Sequence, residues 1–373
     1  MTHNVLIFTK KVLPRSNTFV ATQALQLCDK KPIFLGFAKD NSGIELIKGN
    51  RHCVLSDFSS FPKLFKLLFE TTGYIHPRWL SAIKAESPDI IHAHFGKGGF
   101  YCAAFAKQLQ LPLITTFHGS DITQKDKFSY GQKHRDVAFT VSTKIIAASK
   151  FIERKLIARH CPPEKIIQHY TGIETDYFVP SNQKSDVPTI LFVGRLIEQK
   201  GCQFLLHAFK HVQQVIPEAR LLIAGYGHYE STLKKIANDL ENVTFLGAQS
   251  KEQVKALMDD AWVTCLPSII MKRGNEEGLS TVCMESQAMN TPVVAFDTGG
   301  VSEVVKHEKT GLLVEKISPE TLSEALLQVL QNDALRLTYG QNARTHILEN
   351  FNAKTQSQRL SKIYEQIIAN ARY

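Results

Sequence analysis

The chain has 373 residues, 43% of them hydrophobic and 21% charged, with a formal net charge of +9. That length suits two domains rather than one core, and the composition is that of a soluble globular protein. No run approaches the ~18 uncharged apolar residues of a membrane span, and Met1 to Lys11 has no signal-peptide pattern. Seven scattered cysteines without a Cys-x-x-Cys pair argue against a disulfide framework or structural zinc and suit reduced thiols in the cytoplasm.

The charge is uneven. Residues 1–180 hold 24 Lys/Arg and 14 Asp/Glu, a net of +10; the remainder hold 20 and 21, a net of −1. The first half is therefore expected to meet something anionic. Nucleic acid is disfavoured, because no basic helix, zinc finger or aromatic ribonucleoprotein motif accompanies the charge. An anionic membrane surface is the better candidate.

In chain order, short apolar runs alternate with helical stretches, the sign of parallel α/β architecture. Strands are expected at Val5–Phe8, Ile33–Phe37, Ile90–His92, Leu113–Phe117 and Ile145–Ala148. Helices are expected at Thr18–Gln26, Pro77–Glu86, Gly99–Leu109 and Lys150–Arg159. Between them, Phe61, Leu64, Phe65, Leu68 and Phe69 fall at helical spacing with Lys63 and Lys66 off the stripe. This Phe58–Phe69 segment fits either an interfacial helix on a membrane or an amphipathic helix packed on a core.

The polar stretch 181–188 ends in proline and reads as a linker between domains 1–180 and 189–350. The pattern then restarts. Strands fit Ile190–Val193, Leu221–Ala224, Val243–Leu246, Val263–Leu266, Pro292–Phe296 and Leu312–Val314. Helices fit Cys202–Val215, Tyr229–Asp239, Lys251–Asp259 and Ser280–Met289, and after Pro319 the sequence is helical to the end. Two doubly wound sheets of this kind carry their sites at strand C-termini.

Glu277 and Glu285 stand eight positions apart across a loop-to-helix transition, with Ser280 as N-cap. The free N–H groups of a helix start favour an anion, and a carboxylate accepts paired hydrogen bonds from a diol. Arg195 and Lys200 flank the start of a helix after Ile190–Val193 and suit a diphosphate. His118 ends the strand Leu113–Phe117, with Asp121 three residues on placed for a local cap. His92 and His94 alternate on a strand end without a matching ligand cluster, so no metal site is expected. Gly225-Tyr226-Gly227-His228-Tyr229-Glu230 has two glycines of a dinucleotide fingerprint but lacks the third, and reads as a tight turn.

Taken together, these motifs resemble the retaining glycosyltransferases of family 4. The likeness rests on Gly194-Arg195-x4-Lys200-Gly201, Glu277-x7-Glu285 and Gly299-Gly300-x-x-Glu303. In the first half it rests on His92-Ala93-His94-Phe95-Gly96, Phe117-His118-Gly119-Ser120-Asp121 and Gly172-Ile173-Glu174-Thr175-Asp176-Tyr177-Phe178. The resemblance implies the α/β GT-B fold: two doubly wound Rossmann-like domains facing a cleft, the first binding the acceptor and the second the donor. A last helix, within 351–373, would cross back to the first domain.

By the same resemblance, Arg195 and Lys200 bind the donor pyrophosphate and Glu285 the ribose. Glu277 binds the donor sugar's hydroxyls. Gly278 and the backbone amides of Leu279, Ser280 and Thr281 face sugar and phosphate, and His118 lies beside donor sugar and acceptor. The chain has no Asp-x-Asp motif, so no metal or other cofactor is expected, only a UDP- or GDP-linked sugar. One departure is Leu13-Pro14-Arg15-Ser16-Asn17-Thr18-Phe19, where many members have a Gly-Gly loop. It is similar to a Pro-x-Ser-x-Thr-Phe variant of exopolysaccharide and lipopolysaccharide enzymes, with Ser16 or Asn17 as helix cap and Arg15 near an anionic acceptor.

The resulting expectation is a retaining, metal-independent hexosyltransferase with a lipid-linked glycan acceptor in bacterial surface polysaccharide assembly. It would be cytoplasmic or peripheral on the inner membrane face. Alternatives are a same-fold synthase with a soluble sugar or sugar-phosphate acceptor, a catalytically silent scaffold, or a dehydrogenase resting on the Gly225 turn.

Overall fold

Parallel strands alternate with helices through both halves of the chain in a computed structural model that describes residues 2–12, 18–27, 29–47, 49–125, 131–181 and 183–371. The loop expected at Leu13 to Asn17, with its caps and Arg15, lies outside the described residues. The first half runs β1 (His3–Phe8), β2 (Lys11–Val12), α1 (Thr18–Leu25), β3 (Lys30–Gly36), β4 (Ala38–Lys39), α2 (Asn41–Leu46), β5 (Arg51–Val54), α3 (Pro62–Thr72) and α4 (Pro77–Ala85). It continues with β6 (Ile90–His94), α5 (Gly96–Leu109), β7 (Leu113–Phe117), α6 (Ser120–Thr123), α7 (Gly131–Val141), β8 (Lys144–Ala147), α8 (Lys150–Ala158) and β9 (Ile166–Gln168).

The second half runs β10 (Thr189–Val193), α9 (Cys202–Val215), β11 (Arg220–Ala224), α10 (Glu230–Ile236), β12 (Val243–Gly247), α11 (Lys251–Asp260), β13 (Val263–Leu266) and α12 (Thr281–Ala288). Then come β14 (Val293–Phe296), α13 (Val301–Val304), β15 (Gly311–Val314), α14 (Pro319–Leu330), α15 (Asp333–Asn350) and α16 (Ala353–Ala371).

The first sheet has the order β5-β3-β1-β6-β7-β8-β9 and the second β12-β11-β10-β13-β14-β15. Pairing is parallel throughout both. In each sheet the order reverses beside the first strand, at β1/β6 and at β10/β13. Loops leaving the C-terminal ends of those pairs splay apart there and open a crevice.

The chain divides into Met1–Gly172 with Ala353–Tyr373, and Ile173–Asn352. The break thus falls at Gly172/Ile173, ahead of the stretch 181–188, which belongs to the second unit. Its polarity serves hydrogen bonds within that unit: Lys184 Nζ donates to Thr291 Oγ1 at 2.6 Å, and Trp262 Nε1 donates to the Ser185 carbonyl at 2.7 Å. Burial pushes the Lys184 ammonium down to about 8.

α16 belongs to the first unit. Leu360, Tyr364, Ile367 and Ile368 join Val20, Ala21 and Ala24 in one core cluster. Buried Lys30 fixes the helix further by reaching Glu365 at 2.9 Å.

The Phe58–Phe69 stripe is divided. Phe65 and Phe69 pack on the core around Trp79 and Phe105, whereas Phe61, Leu64 and Leu67 face outward. The six described cysteines are buried free thiols.

Candidate functional site

In the second unit the candidate site residues gather at the β10/β13 switch point. β10 ends in Val193, and the loop from Gly194 carries Arg195 and Lys200 into α9. Lys200 Nζ donates to Glu277 Oε2 at 2.6 Å, with both side chains largely shielded from solvent. Ser268, just beyond β13, adds a second donor to the same oxygen at 3.3 Å. Thr298 Oγ1 holds the Ser268 carbonyl at 2.9 Å.

Glu277 is also fixed through its backbone. Gly300 N–H donates to its carbonyl at 2.9 Å. Gly299 adopts φ +62°, and a Cβ there would lie 2.0 Å from the same carbonyl oxygen. The Gly-Gly turn is therefore a clamp on Glu277, and only a residue without Cβ fits it. The sequence motif recorded the clamp but not what it held. Ser268 and Thr298 belong to no motif and were missed, because single hydroxyl residues after strands carry no spacing signal.

Gly278, Leu279 and Ser280 follow directly, and α12 begins at Thr281. Ser280 caps it: the side chain accepts from Cys283 N–H at 3.2 Å. The amides of Leu279, Ser280 and Thr281 have no acceptor among the described residues, which leaves donors at a helix N-terminus. Arg195 stands exposed on its loop with no ion pair among the described residues.

Glu285, in the second turn of α12, is half-buried. Burial pushes its carboxyl up to about 7; Lys251 opposes this and Glu174 adds to it. Lys251 itself is ion-paired to Glu174 and sits 4.3 Å over the Tyr177 ring. The Glu174 to Phe178 motif thus comes to the neighbourhood of Glu285, a grouping absent from the sequence reading.

The Gly225 turn has a packing explanation. A Cβ at Gly225 would meet the Gly194 carbonyl oxygen at 1.8 Å, so this loop presses on the one that carries Arg195. No feature of a dinucleotide cradle is needed to account for it.

His118 belongs to the first unit, in the loop after β7. It stacks on His94 at 5.3 Å between ring centroids, and His94 stacks on His92 at 4.4 Å. His94 Nδ1 and His118 Nε2 share a hydrogen bond of 3.0 Å. The rings of Phe19 and Phe95 flank His118 at 4.8 and 4.9 Å. His92 is held at both nitrogens, by Tyr364 Oη and Thr116 Oγ1 at 2.6 Å each.

In so apolar a setting, burial holds His92 and His118 down at about 3, and His94 well below its usual range. All three are neutral at pH 7, so His118 acts as a hydrogen-bonding ring and not as a cation. Asp121 accepts from the amides of Gly119 at 2.8 Å and of Gly96 and His118 at 3.2 Å each. It shapes the loop. No group of three or more potential metal ligands occurs among the described residues.

Two Rossmann-like parallel sheets, each reversing its strand order beside the first strand, make up the GT-B fold. Sequence comparison is specific. Residues 48–177 match the Glycosyltransferase Family 4 domain and residues 174–346 the glycosyl transferases group 1 domain. The amylovoran biosynthesis glycosyltransferase AmsK of Erwinia amylovora is 31% identical over 291 residues, covering 76% of this chain and 72% of the relative. A GDP-mannose-dependent monoacylated alpha-(1-6)-phosphatidylinositol monomannoside mannosyltransferase of Corynebacterium glutamicum is 34% identical over 180 residues, covering 48% of this chain and 47% of the relative. The crystal structure of Anabaena Alr3699/HepE with UDP and glucose shares the fold at TM-score 0.79 and 18% identity, covering 98% of this chain and 100% of that one. The chain belongs to glycosyltransferase family 4.

Proposed function

We propose that the protein is a retaining hexosyltransferase that uses a UDP- or GDP-linked sugar and a lipid-linked glycan acceptor in bacterial surface polysaccharide assembly. The observation that carries this reading is the Lys200–Glu277 pair, fixed at the switch point beside the free amides of α12. Lys200 has three donor hydrogens. One engages Glu277, and the others remain for a diphosphate oxygen, as does the fork of Arg195. Glu277 accepts from sugar hydroxyls. Glu285 accepts from the ribose diol, and the amides of Leu279, Ser280 and Thr281 face phosphate. Neutral His118 positions sugar or acceptor by hydrogen bonding.

In the proposed front-face reaction the bond from C1 to the diphosphate oxygen breaks. The acceptor oxygen bonds C1 on the same face, and its proton passes to the departing diphosphate. Negative charge grows on that diphosphate, where Arg195, Lys200 and the helix N-terminus stabilise it without a metal. The relatives' printed roles in amylovoran synthesis and in mannosyl transfer to a phosphatidylinositol mannoside support a polysaccharide or lipid-borne acceptor. The net +10 of residues 1–180 supports work at the inner, anionic face of the cytoplasmic membrane. No helix among the described residues is long and apolar enough to cross a membrane.

Thermal unfolding with UDP, GDP, ADP and NADH, without added metal, tests the donor reading. A ligand at ~100 times its dissociation constant stabilises by about 2.7 kcal/mol. Stabilisation by UDP or GDP alone is expected. No shift with any nucleoside diphosphate, or a shift only with NADH, overturns the assignment.

A further inference from the structure

The C-terminal edge of the first sheet carries cations that the donor chemistry does not use. Lys10 follows the end of β1, and Lys97 stands in the first turn of α5, directly after β6. They therefore leave from the two strands that form the first unit's switch point, where open α/β sheets bind ligands. Lys66, from α3, joins Lys10 around one carboxylate. The ammonium groups of Lys10 and Lys66 each lie 3.9 Å from Glu70 Oε1. Tyr101 Oη donates to the same oxygen at 2.5 Å. Lys97 Nζ sits 5.9 Å over the Tyr101 ring and has no carboxylate partner among the described residues.

Two ammonium groups thus share a single carboxylate, and a third stands close to Lys10 without one. Burial, with Lys66 and Lys97 close by, pushes the Lys10 ammonium below its ordinary range. Cations gathered in this way repel one another, and an added anion with two charges relieves the repulsion. Beside them, α3 turns Phe61, Leu64 and Leu67 to solvent at 67, 52 and 56% exposure. The opposite side of the same helix is anchored in the core by Phe65 and Phe69. The ligand that complements this surface is an anion joined to a hydrocarbon chain.

We propose that Lys10, Lys66 and Lys97 form a subsite for the diphosphate of a lipid-linked acceptor, with Phe61, Leu64 and Leu67 receiving its hydrocarbon. The proposal rests on the lipid-linked acceptor reading above. It places acceptor recognition at the first switch point and gives the basic first unit a defined anion.

The test is calorimetric titration of the full chain with farnesyl diphosphate, inorganic diphosphate and farnesol, with UDP and GDP present to fill the donor site. Farnesyl diphosphate should bind about tenfold more tightly than inorganic diphosphate, and farnesol should not bind measurably. The double substitution Lys66→Gln, Lys97→Gln should weaken farnesyl diphosphate by about tenfold or more, each lysine contributing a charge-assisted contact. Leu64→Ser should weaken farnesyl diphosphate but not inorganic diphosphate. An unchanged affinity in the double variant overturns the subsite. So does a wild type that ignores farnesyl diphosphate yet binds phosphatidylcholine vesicles containing phosphatidylglycerol through the same lysines, since the surface would then read general headgroups. Stabilisation by UDP or GDP, measured on the same variants, reports folding and the donor site independently. Its failure would strike the transferase reading and not this one.

Discussion

The two units share a topology and differ in the state of charge at their strand ends. In both, helices connect parallel strands and the order reverses beside the first strand. The second unit places an ion pair, Lys200 with Glu277, at that edge and keeps both side chains largely dry. The first places a stack of three neutral imidazoles there, His92 and His94 at the end of β6 and His118 just after β7. Burial explains both. An ion pair survives it because each charge answers the other and Ser268 adds a donor; an imidazole survives it by shedding its proton. The shared fold supplies a crevice, and the loop residues decide whether it holds fixed charge or shaped, uncharged polarity. Under the proposed roles, fixed charge meets the donor diphosphate and the neutral stack shapes the sugar and acceptor side.

The largest effect should come from breaking the ion pair. Lys200→Ala leaves Glu277 as an uncompensated, largely buried charge, and Glu277→Ala does the reverse. Each should lower kcat/KM by about 10²–10³ or more, the size of losing one preorganised electrostatic partner. The double variant should be little worse than either single one, because the two act as a unit. Losses that multiply, or near-normal turnover in folded variants, would show that the two do not share a task.

A smaller effect sharpens the other half of the comparison. His94→Phe keeps an aromatic ring in the stack and removes the 3.0 Å bond to His118. If His94 positions His118, kcat should fall by about tenfold, the worth of one oriented hydrogen bond. Stabilisation by nucleoside diphosphate should be unchanged, since the proposed donor site lies in the other unit. Because His118 is already neutral at pH 7, the wild-type rate should show no loss of a histidine proton between pH 6 and 8. A fall in nucleotide stabilisation with the variant would make the role merely structural.

Much of this arrangement was legible in the sequence, and the failures have physical reasons. The strands of the second unit read easily because runs such as Ile190–Val193 and Val263–Leu266 are apolar in a sheet covered on both faces. β5 escaped notice because it opens on Arg51 and His52 at a sheet edge, where half the strand is wet. α7 was missed because Gly131, a charged middle and a β-branched end weaken every helix signal. α5 starts at Gly96, earlier than expected. Its glycines, poor helix formers, are there because the helix lies against Phe117 and Thr115. The stretch 181–188 looked like a linker because hydrogen-bonding residues look the same whether water or Thr291 answers them. At the site, motif spacing pointed to Lys200, Glu277 and Ser280. The contacts that hold them, from Ser268 and Gly300, and the neighbourhood of Glu285, arise from chain folding and leave no local pattern.

The smallest effect discriminates between the two units most sharply, because acid should push them in opposite directions. His92 has a folded value depressed to about 3 against an ordinary 6.5. The unfolded chain therefore takes up its proton first. The stability this imidazole contributes is present above pH 6.5 and is lost as the pH falls below it. Between pH 7.5 and 5.5 the loss is about 1 kcal/mol for such a group. Glu285 has a folded value raised to about 7. It takes up its proton in the folded state while the unfolded chain is still ionised. Acidification from pH 7.5 to 5.5 should therefore stabilise the second unit by about 1 kcal/mol, after discounting for partial exposure. Hydrogen exchange followed on peptides from β6 and β7, and separately from α12 and β13, resolves the two. Protection should fall in the first set and rise in the second, and Glu285→Gln should abolish only the rise. Parallel changes in both sets would mean that the charge contrast between the units does not govern their response to pH.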